Sequence, residues 1–534
     1  MARDEAYREA EQRIETARQE NAINLDLSGL GLTELPEAIA SLTQLKTIFL
    51  SDNQLTELPE AIASLTQLQS LNLSLNQLTE LPEAIASLTQ LRSLFLSDNQ
   101  LTELSEASGN LIQLQELFLA NNNLTILPKW LGKLTGLRAL SLSSNPFTSL
   151  PEQLGQLIHL QHLGLSDTKL NSLPTWLSQL SELKTLGLSS NDLSNLSESL
   201  SQLTKLHDLQ LGSYESIYTE NCGYGRFFKR RNNLTLLPNW VCHLTQLRRL
   251  DLKGCSLTDL PTSISQLEHL EQLDLSNNPL NLDLAAAAEQ GLEAVMQYLR
   301  SRSEGEVTLN EAKLILVGEG EVGKSCLLGA LRGDAWLEGR PTTHGIEIKP
   351  VIVNALGSNT EITLNGWDFG GQRVYRPTHQ LFFSSSAVYL VVWKPREGPQ
   401  QGFVKEWITL IKHREPDARV LVVATHGGPG QRQPDIDRQE LTDLFGNDTV
   451  IDFLHVDSQL GTGVAELREA IAKTAATLPG MGRSVPTKWQ RIRELLEESG
   501  KTHLPYKDVI SLCEEQGLEG FAAELFVRVS HTLG

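Results

Sequence analysis

Leu314-Ile-Leu-Val317 runs directly into Gly318-Glu-Gly-Glu-Val-Gly323-Lys324-Ser325. The apolar run reads as a buried strand and the residues after Lys324 as a helix, so the glycines fall where one turns into the other. Such a turn presents consecutive backbone N–H groups at a helix start, where the dipole favours anions. Lys324 adds a point charge and Ser325 a hydroxyl suited to Mg2+. This is the chemistry of a loop that cradles the phosphates of a nucleoside triphosphate. Gly318, Gly320 and Gly323 also satisfy the Gly-x-Gly-x-x-Gly of dinucleotide sites. That site, however, has no use for Lys-Ser after the third glycine and wants an acid about 20 residues on, where this chain reads Glu338-Gly-Arg-Pro-Thr-Thr-His344, a loop.

Working outward, strands and helices alternate after Glu304, the mark of an α/β domain with a mostly parallel sheet. Strands fit 313–317, 347–354, 361–367, 387–393, 419–424 and 450–456, and helices fit 324–331, 403–412, 437–445 and 464–478. The third strand ends in Trp367-Asp368-Phe369-Gly370-Gly371-Gln372. Asp368 is placed to hold Mg2+ through water, Gly371 to give its N–H to a γ-phosphate, and Gln372 to orient an attacking water. Phosphoryl transfer needs that division of labour, because the protein mostly positions and neutralises. The candidate nucleotide-binding residues are Gly318, Gly320, Glu321, Val322, Gly323, Lys324, Ser325, Cys326, Asp368, Gly371, Thr425 and His426.

The first half is a different object. From Ile23 to about Leu284 the pattern Leu-x-x-Leu-x-Leu-x-x-Asn-x-Leu-x-x-Leu-Pro recurs, with Asn53, Asn76, Asn99, Asn122 and Asn145 spaced by 23 residues. This leucine-rich-repeat signature predicts a solenoid, an α/β horseshoe of about eleven repeats. The register continues through Thr168, Asn191 and Tyr214, then after an insertion near 214–231 through Asn232, Cys255 and Asn278. Leucines and asparagines are accounted for by stacking. Function would lie at strand positions facing outward, including Phe49, Asn72, Phe95, Phe118, Ser141, Gly164 and Gly187. Phe95 and Phe118 are expected side by side, a candidate anchor for a protein partner. The insertion ends Arg226-Phe-Phe-Lys-Arg-Arg231, basic and aromatic, and reads as a solvated loop or a contact for an acidic surface. Residues 285–303 read as one helix closing the solenoid, with Leu292, Val295, Met296 and Leu299 as its core stripe.

At 534 residues the chain exceeds one core, and a net charge of −20 with 21% charged residues gives no basic stripe for nucleic acid. The five cysteines, Cys222, Cys242, Cys255, Cys326 and Cys513, form no C-x-x-C pair and read as reduced structural thiols. Residues 1–22 are charged and helical in pattern, with no apolar signal core. No stretch approaches a membrane span, so the cytoplasm is the expected location. No zinc spacing, Gly-x-Ser-x-Gly elbow or kinase catalytic loop is present, and His379 reads as a helix histidine satisfied by its surroundings.

Trp367-Asp-Phe-Gly-Gly-Gln followed by Arg373-Val-Tyr-Arg-Pro-Thr-His379-Gln-Leu-Phe-Phe resembles the switch II of Roc domains, the Ras-like GTPases of Roco proteins. In that family leucine-rich repeats commonly precede Roc and a COR domain follows, the order seen here over nearly the whole chain, in a bacterial type. The resemblance implies GTP and GDP as ligands, Mg2+ held by Ser325, Thr343 and Asp368, and slow hydrolysis with Lys324, Thr343 and Gln372 in catalytic roles. Thr343 of Thr-His-Gly-Ile is then the switch I threonine, with Thr342 as its alternative. The chain departs from the family where guanine is read. Roc domains often use Thr-His-x-Asp, and here the stretch is Thr425-His426-Gly427-Gly428, leaving Thr425, His426 and Asp435 or Asp437 for that task. Val456-Asp457-Ser458 is similar to the loop that covers the base from its far side.

On this reading the chain divides into a helical cap (1–22), repeats (23–284), a closing helix and linker (285–305), a Roc GTPase domain (306–480) and a linker with the start of COR (481–534). Tail helices fit around 491–498, 506–516 and 521–531, resembling the first helices of COR. The tail stops far short of a full COR, as a fragment would. COR mediates dimerisation in the family, so a tail this short puts a homodimer in doubt. The leading function is a GTP-hydrolysing switch with a repeat-based interaction module. The alternatives are a nucleotide-held scaffold with little hydrolysis that tolerates ATP, and a repeat protein whose α/β domain is only structural.

Overall fold

In the computed structural model the described residues are 2–147, 149–213, 231–339, 343, 345–355, 360–370, 379–384, 386–395, 403–425, 436–499, 504–518 and 520–533. The chain separates into two compact units. One holds Met1–Leu280 and Ala288–Arg300, and the other Asn281–Ala287 and Ser301–Gly534.

The first unit opens with helix α1 (Ala2–Gln19), whose Ala10, Ile14 and Ala17 are buried. Eleven three-residue strands follow, β1 (Asn24–Asp26) through β11 (Gln272–Asp274), all parallel and paired in chain order. Each return segment is a one-turn 3-10 helix, most entered through a proline, as at Pro59 before Glu60–Ser64. Proline suits that position because its fixed φ starts the turn and its missing N–H has no partner to lose. The central leucine or isoleucine of each strand from β1 to β10 is buried, as is one isoleucine, leucine or valine of each turn except the one at Glu106–Asn110, where Ser108 takes the place, and together they form one apolar column.

The register asparagines bond the backbone of neighbouring coils. Asn76 Oδ1 accepts from Leu55 N at 3.0 Å, while its Nδ2 donates to Leu50 O at 2.9 Å and Leu73 O at 3.0 Å. Each asparagine thus satisfies three buried backbone groups that no strand pairing reaches. Thr168 and Cys255 stand in where asparagine is absent, donating to Leu165 O and Leu211 O respectively. Tyr214 and the insertion through Arg230 lie outside the described residues.

The segment read as one helix over 285–303 is two, α2 (Leu282–Gln290) and α3 (Leu292–Ser303). Gly291 between them adopts φ 101°, a left-handed conformation that ends one helix and restarts the next. In α3, Val295, Met296 and Leu299 are buried as expected, joined by Ala294 and Tyr298, whereas Leu292 is only half-buried.

The second unit has a six-stranded sheet in the order β14-β15-β13-β16-β17-β18. The strands are β13 (Glu311–Val317), β14 (Ile346–Asn354), β15 (Glu361–Phe369), β16 (Ala387–Trp393), β17 (Arg419–Thr425) and β18 (Val450–Val456). Only the edge strand β14 is antiparallel to its neighbour. Helices α4 (Lys324–Arg332) and α7 (Val464–Ala475) cover one face. Helices α5 (Val404–Arg414) and α6 (Arg438–Phe445) cover the other. Beside this sheet lies a small antiparallel pair that no sequence pattern announces, β12 (Glu306–Leu309) with β19 (Arg483–Pro486). A buried ion pair, Arg483 Nε to Asp283 Oδ2 at 3.1 Å, braces it. The tail forms α8 (Thr487–Glu498), α9 (Tyr506–Glu515) and α10 (Phe521–Leu533), with Trp489 set edge-on to Phe526. Among the described residues no helix is long and apolar enough to cross a membrane.

Candidate functional site

The phosphate loop leaves β13 at the carboxyl edge of the sheet, where open α/β folds bind ligands. Gly318 has φ +145°, and a Cβ there would lie 2.1 Å from the Val392 carbonyl oxygen, so only glycine lets the loop pass beneath β16. Gly323 takes φ 93° at the N-cap of α4. Val322 is buried in the core and ties the loop down, while its carbonyl accepts from Thr425 Oγ1.

Lys324, 6% exposed, donates from Nζ to Gly318 O at 2.9 Å and Glu319 O at 2.8 Å, spanning the loop it closes. Burial pushes its ammonium down to about 8, and the charge of Asp368 opposes the shift.

Ser325, Thr343 and Asp368 come from a helix start, a loop and a strand end, and their oxygens meet. Ser325 Oγ lies 2.8 Å from Thr343 Oγ1, Thr343 Oγ1 lies 3.0 Å from Asp368 Oδ2, and Ser325 Oγ bonds the same carboxylate oxygen. Asp368 is fully buried, and burial raises its pKa against the pull of Ser325, Lys324 and Thr343. Its Oδ1 has no hydrogen-bond partner among the described residues. A buried carboxylate with a spare oxygen, beside two hydroxyls and a lysine, is a donor set for a small hard cation and a polyanion.

Gly370 sits against this corner, its N–H bonded to Gly345 O at 2.8 Å, which joins the loop bearing Thr343 to the end of β15. Gly371, Gln372 and His426 lie outside the described residues, as do Thr342 and Asp435. Thr425 is buried, with its hydroxyl turned to Val322 O and Trp393 O. The Asp437 carboxylate caps α6, accepting from Glu440 N at 2.9 Å. Asp457 Oδ1 accepts from Gln459 N and Leu460 N, shaping the loop after β18. Ser458 on that loop helps line a small open crevice of about 20 Å³ with Cys326, Gly329, Ala330, Trp336 and Leu337. Trp336 is 46% exposed, and as a lone aromatic in a loop it leaves no pattern in the sequence.

His379, expected as a helix histidine, is buried with its ring 4.5 Å from that of Phe369 and 5.9 Å from that of Trp407. On the repeat sheet Phe95 and Phe118 are register partners, stacked with centroids 5.1 Å apart and planes 9° apart. Both are half-buried, and Phe49 is 40% exposed.

Residues 313–427 match the family described as Ras of Complex, Roc, domain of DAPkinase. Residues 21–193, in overlapping windows, and 246–267 match leucine-rich repeats. A Roc-COR-CHAT protease from an unknown prokaryotic organism is 30% identical over 54% of this chain and 30% of its own length. The Dictyostelium discoideum probable serine/threonine-protein kinase pats1 is 29% identical over 46% of this chain and 8% of its own. The chain thus spans less than a third of either relative. The solved structure of Methanosarcina barkeri Roco2 RocCORdC bound to GDP is 25% identical, covering 43% of this chain and 69% of that one, with a TM-score of 0.38. By these matches the chain carries leucine-rich repeats followed by a Roc domain, a Ras-like GTPase family.

Proposed function

We propose that this chain is a guanine-nucleotide switch that hydrolyses GTP slowly and carries a repeat module for protein partners. The convergence of Ser325, Thr343 and the buried Asp368 in one half-buried oxygen cluster, next to Lys324 in the chain, carries this reading. Ser325, Thr343 and Asp368 would hold Mg2+, which would supply positive charge to neutralise the phosphates. Lys324 pairs with the phosphates, the N–H groups of Gly320 to Cys326 cradle them, Gly371 senses the γ-phosphate and Gln372 orients the water. The tail is the start of a COR domain. The Phe95–Phe118 stack is the anchor for a protein partner, in the cytoplasm.

A second reading, a scaffold held by nucleotide with relaxed base choice, is favoured by one set of contacts. The Thr425 hydroxyl is engaged by the phosphate loop and the Asp437 carboxylate by a helix cap, which leaves Trp336 beside the crevice as a stacking surface indifferent to the base edge.

Titrating the nucleotide-free chain with fluorescent GDP, GTP and ATP analogues in Mg2+, alongside Lys324→Ala, tests both. Guanine preference, loss of binding in the variant and Mg2+-dependent phosphate release are expected. Equal ATP binding without release moves the conclusion to the scaffold, and no binding at all overturns both.

A further inference from the structure

Lys313 is the one residue of β13 whose burial the sheet does not explain. Strand alternation puts it on the same face as Ile315 and Val317, both fully buried and apolar, yet its own side chain is 2% exposed and ends in an ammonium. Methionine would fill the same space without desolvating a charge, a cost that natural cores accept mainly where the charge has a task. Its surroundings indicate the task. Nζ lies 5.0 Å from the centroid of the Trp367 ring and 3.5 Å from the carbonyl oxygen of Phe382.

Trp367 and Phe369 flank Asp368 on β15, and the residues after the sensor stretch dock on those two rings. Phe382 packs 5.0 Å from Trp367 and 6.1 Å from Phe369, and His379 packs 4.5 Å from Phe369. Further along, Tyr389 OH bonds both backbone groups of Ser384, and Arg414 Nε donates to Gln380 Oε1. The segment that leaves the sensor is therefore seated on the strand that carries the cation-binding carboxylate, with Lys313 beneath the seam.

We infer that Lys313 is a positioning residue for γ-phosphate sensing: it holds the Phe382 carbonyl and the Trp367 ring together, fixing the exit of the sensor segment relative to Asp368. The assignment rests on the nucleotide-switch reading. It places Lys313 away from the nucleotide, so the residue governs turnover and not affinity.

The test compares full-length wild type with Lys313→Met and Lys313→Arg. Four quantities are read: GDP and GTP-analogue affinity, melting temperature, single-turnover phosphate release, and the rate of tryptic cleavage after Arg373 in each nucleotide state. Lys313→Met is expected to keep both affinities within about twofold and to melt no lower than wild type, since a buried charge is exchanged for an apolar chain of similar length. Its phosphate release should fall at least about fivefold, and cleavage after Arg373 should no longer differ between the diphosphate and triphosphate states. Lys313→Arg, which keeps a cation and a donor, should recover part of the rate. Wild-type release with an intact cleavage difference in Lys313→Met overturns the inference. So does a loss of release that merely tracks a loss of affinity or of melting temperature. If wild type itself binds no nucleotide, the switch reading fails first and the role of Lys313 with it.

Discussion

Ser325 Oγ and Thr343 Oγ1 lie 2.8 Å apart across 18 residues of chain, and both reach the same oxygen of Asp368. The two hydroxyls should nevertheless behave differently. Ser325 lies in the first turn of α4, beneath the phosphate loop, and on the nucleotide-switch reading would serve both nucleotide states, whereas Thr343 is on a loop joined to β15 through Gly370. Ser325→Ala is expected to weaken Mg2+-dependent GDP binding by about tenfold, or roughly 1.4 kcal/mol, with the affinity in EDTA unchanged. Thr343→Ala should leave GDP affinity within about twofold and lower triphosphate hydrolysis. Equilibrium titration with fluorescent GDP, with and without Mg2+, separates the two.

Gly318 has no room for a side chain, because the intruding atom would be the backbone oxygen of Val392 on a central strand. Gly318→Ala should destabilise the nucleotide unit by about 2 kcal/mol or more, through overpacking and an unfavourable φ. Urea unfolding should show this as a transition of that unit moved to lower denaturant, with the repeat transition in place. A variant that unfolds like wild type would mean the loop shifts freely away from β16.

How far the sequence could be read depended on whether a feature leaves a local pattern. The phosphate loop does, because Lys324 and Ser325 must follow Gly323 directly. The register asparagines do, because each coil repeats the same unmet backbone groups. The strands 387–393 and 450–456 emerge at the bounds expected, as unbroken or bounded apolar runs. Long-range features left no such trace. The pairing of Glu306–Leu309 with Arg483–Pro486 joins two four-residue segments far apart in the chain, too short for a period to show. Gly291 carries no local mark of the left-handed φ of 101° that divides the helix expected over 285–303 into two. Trp336 and Lys313 gain meaning only from neighbours that the sheet brings to them.

Asn122 measures what a ladder rung contributes. Its Oδ1 accepts from Leu101 N at 3.0 Å, and its Nδ2 donates to Leu96 O at 2.9 Å and Leu119 O at 3.0 Å. Asn122→Ala orphans these buried groups and should cost on the order of 3 kcal/mol. Asn122→Thr should cost less, because Thr168 already works at this position by donating to Leu165 O at 2.7 Å while Asn191 Oδ1 accepts its N–H at 3.0 Å. Equal losses in urea unfolding of the repeats would show that the hydroxyl does not substitute for the amide.

Lys313 also gives the nucleotide unit a pH signature. Burial pushes its ammonium from an ordinary 10.5 down to about 8. A depressed lysine destabilises the folded state while both states are protonated, so the cost is fully present below about 8 and is lost as pH rises toward 10.5. Stability of wild type relative to Lys313→Met should therefore rise with pH across that window, by up to about 1.4 kcal/mol per unit. The variant is the necessary reference, because burial also raises the thiols of Cys255 and Cys513, which favours unfolding in alkaline solution. Those groups are common to both proteins and cancel in the difference. Urea unfolding at pH 7, 8 and 9.5 should give a slight rise over the first interval and a much steeper one over the second, whereas a flat difference throughout would mean Lys313 titrates as an exposed lysine.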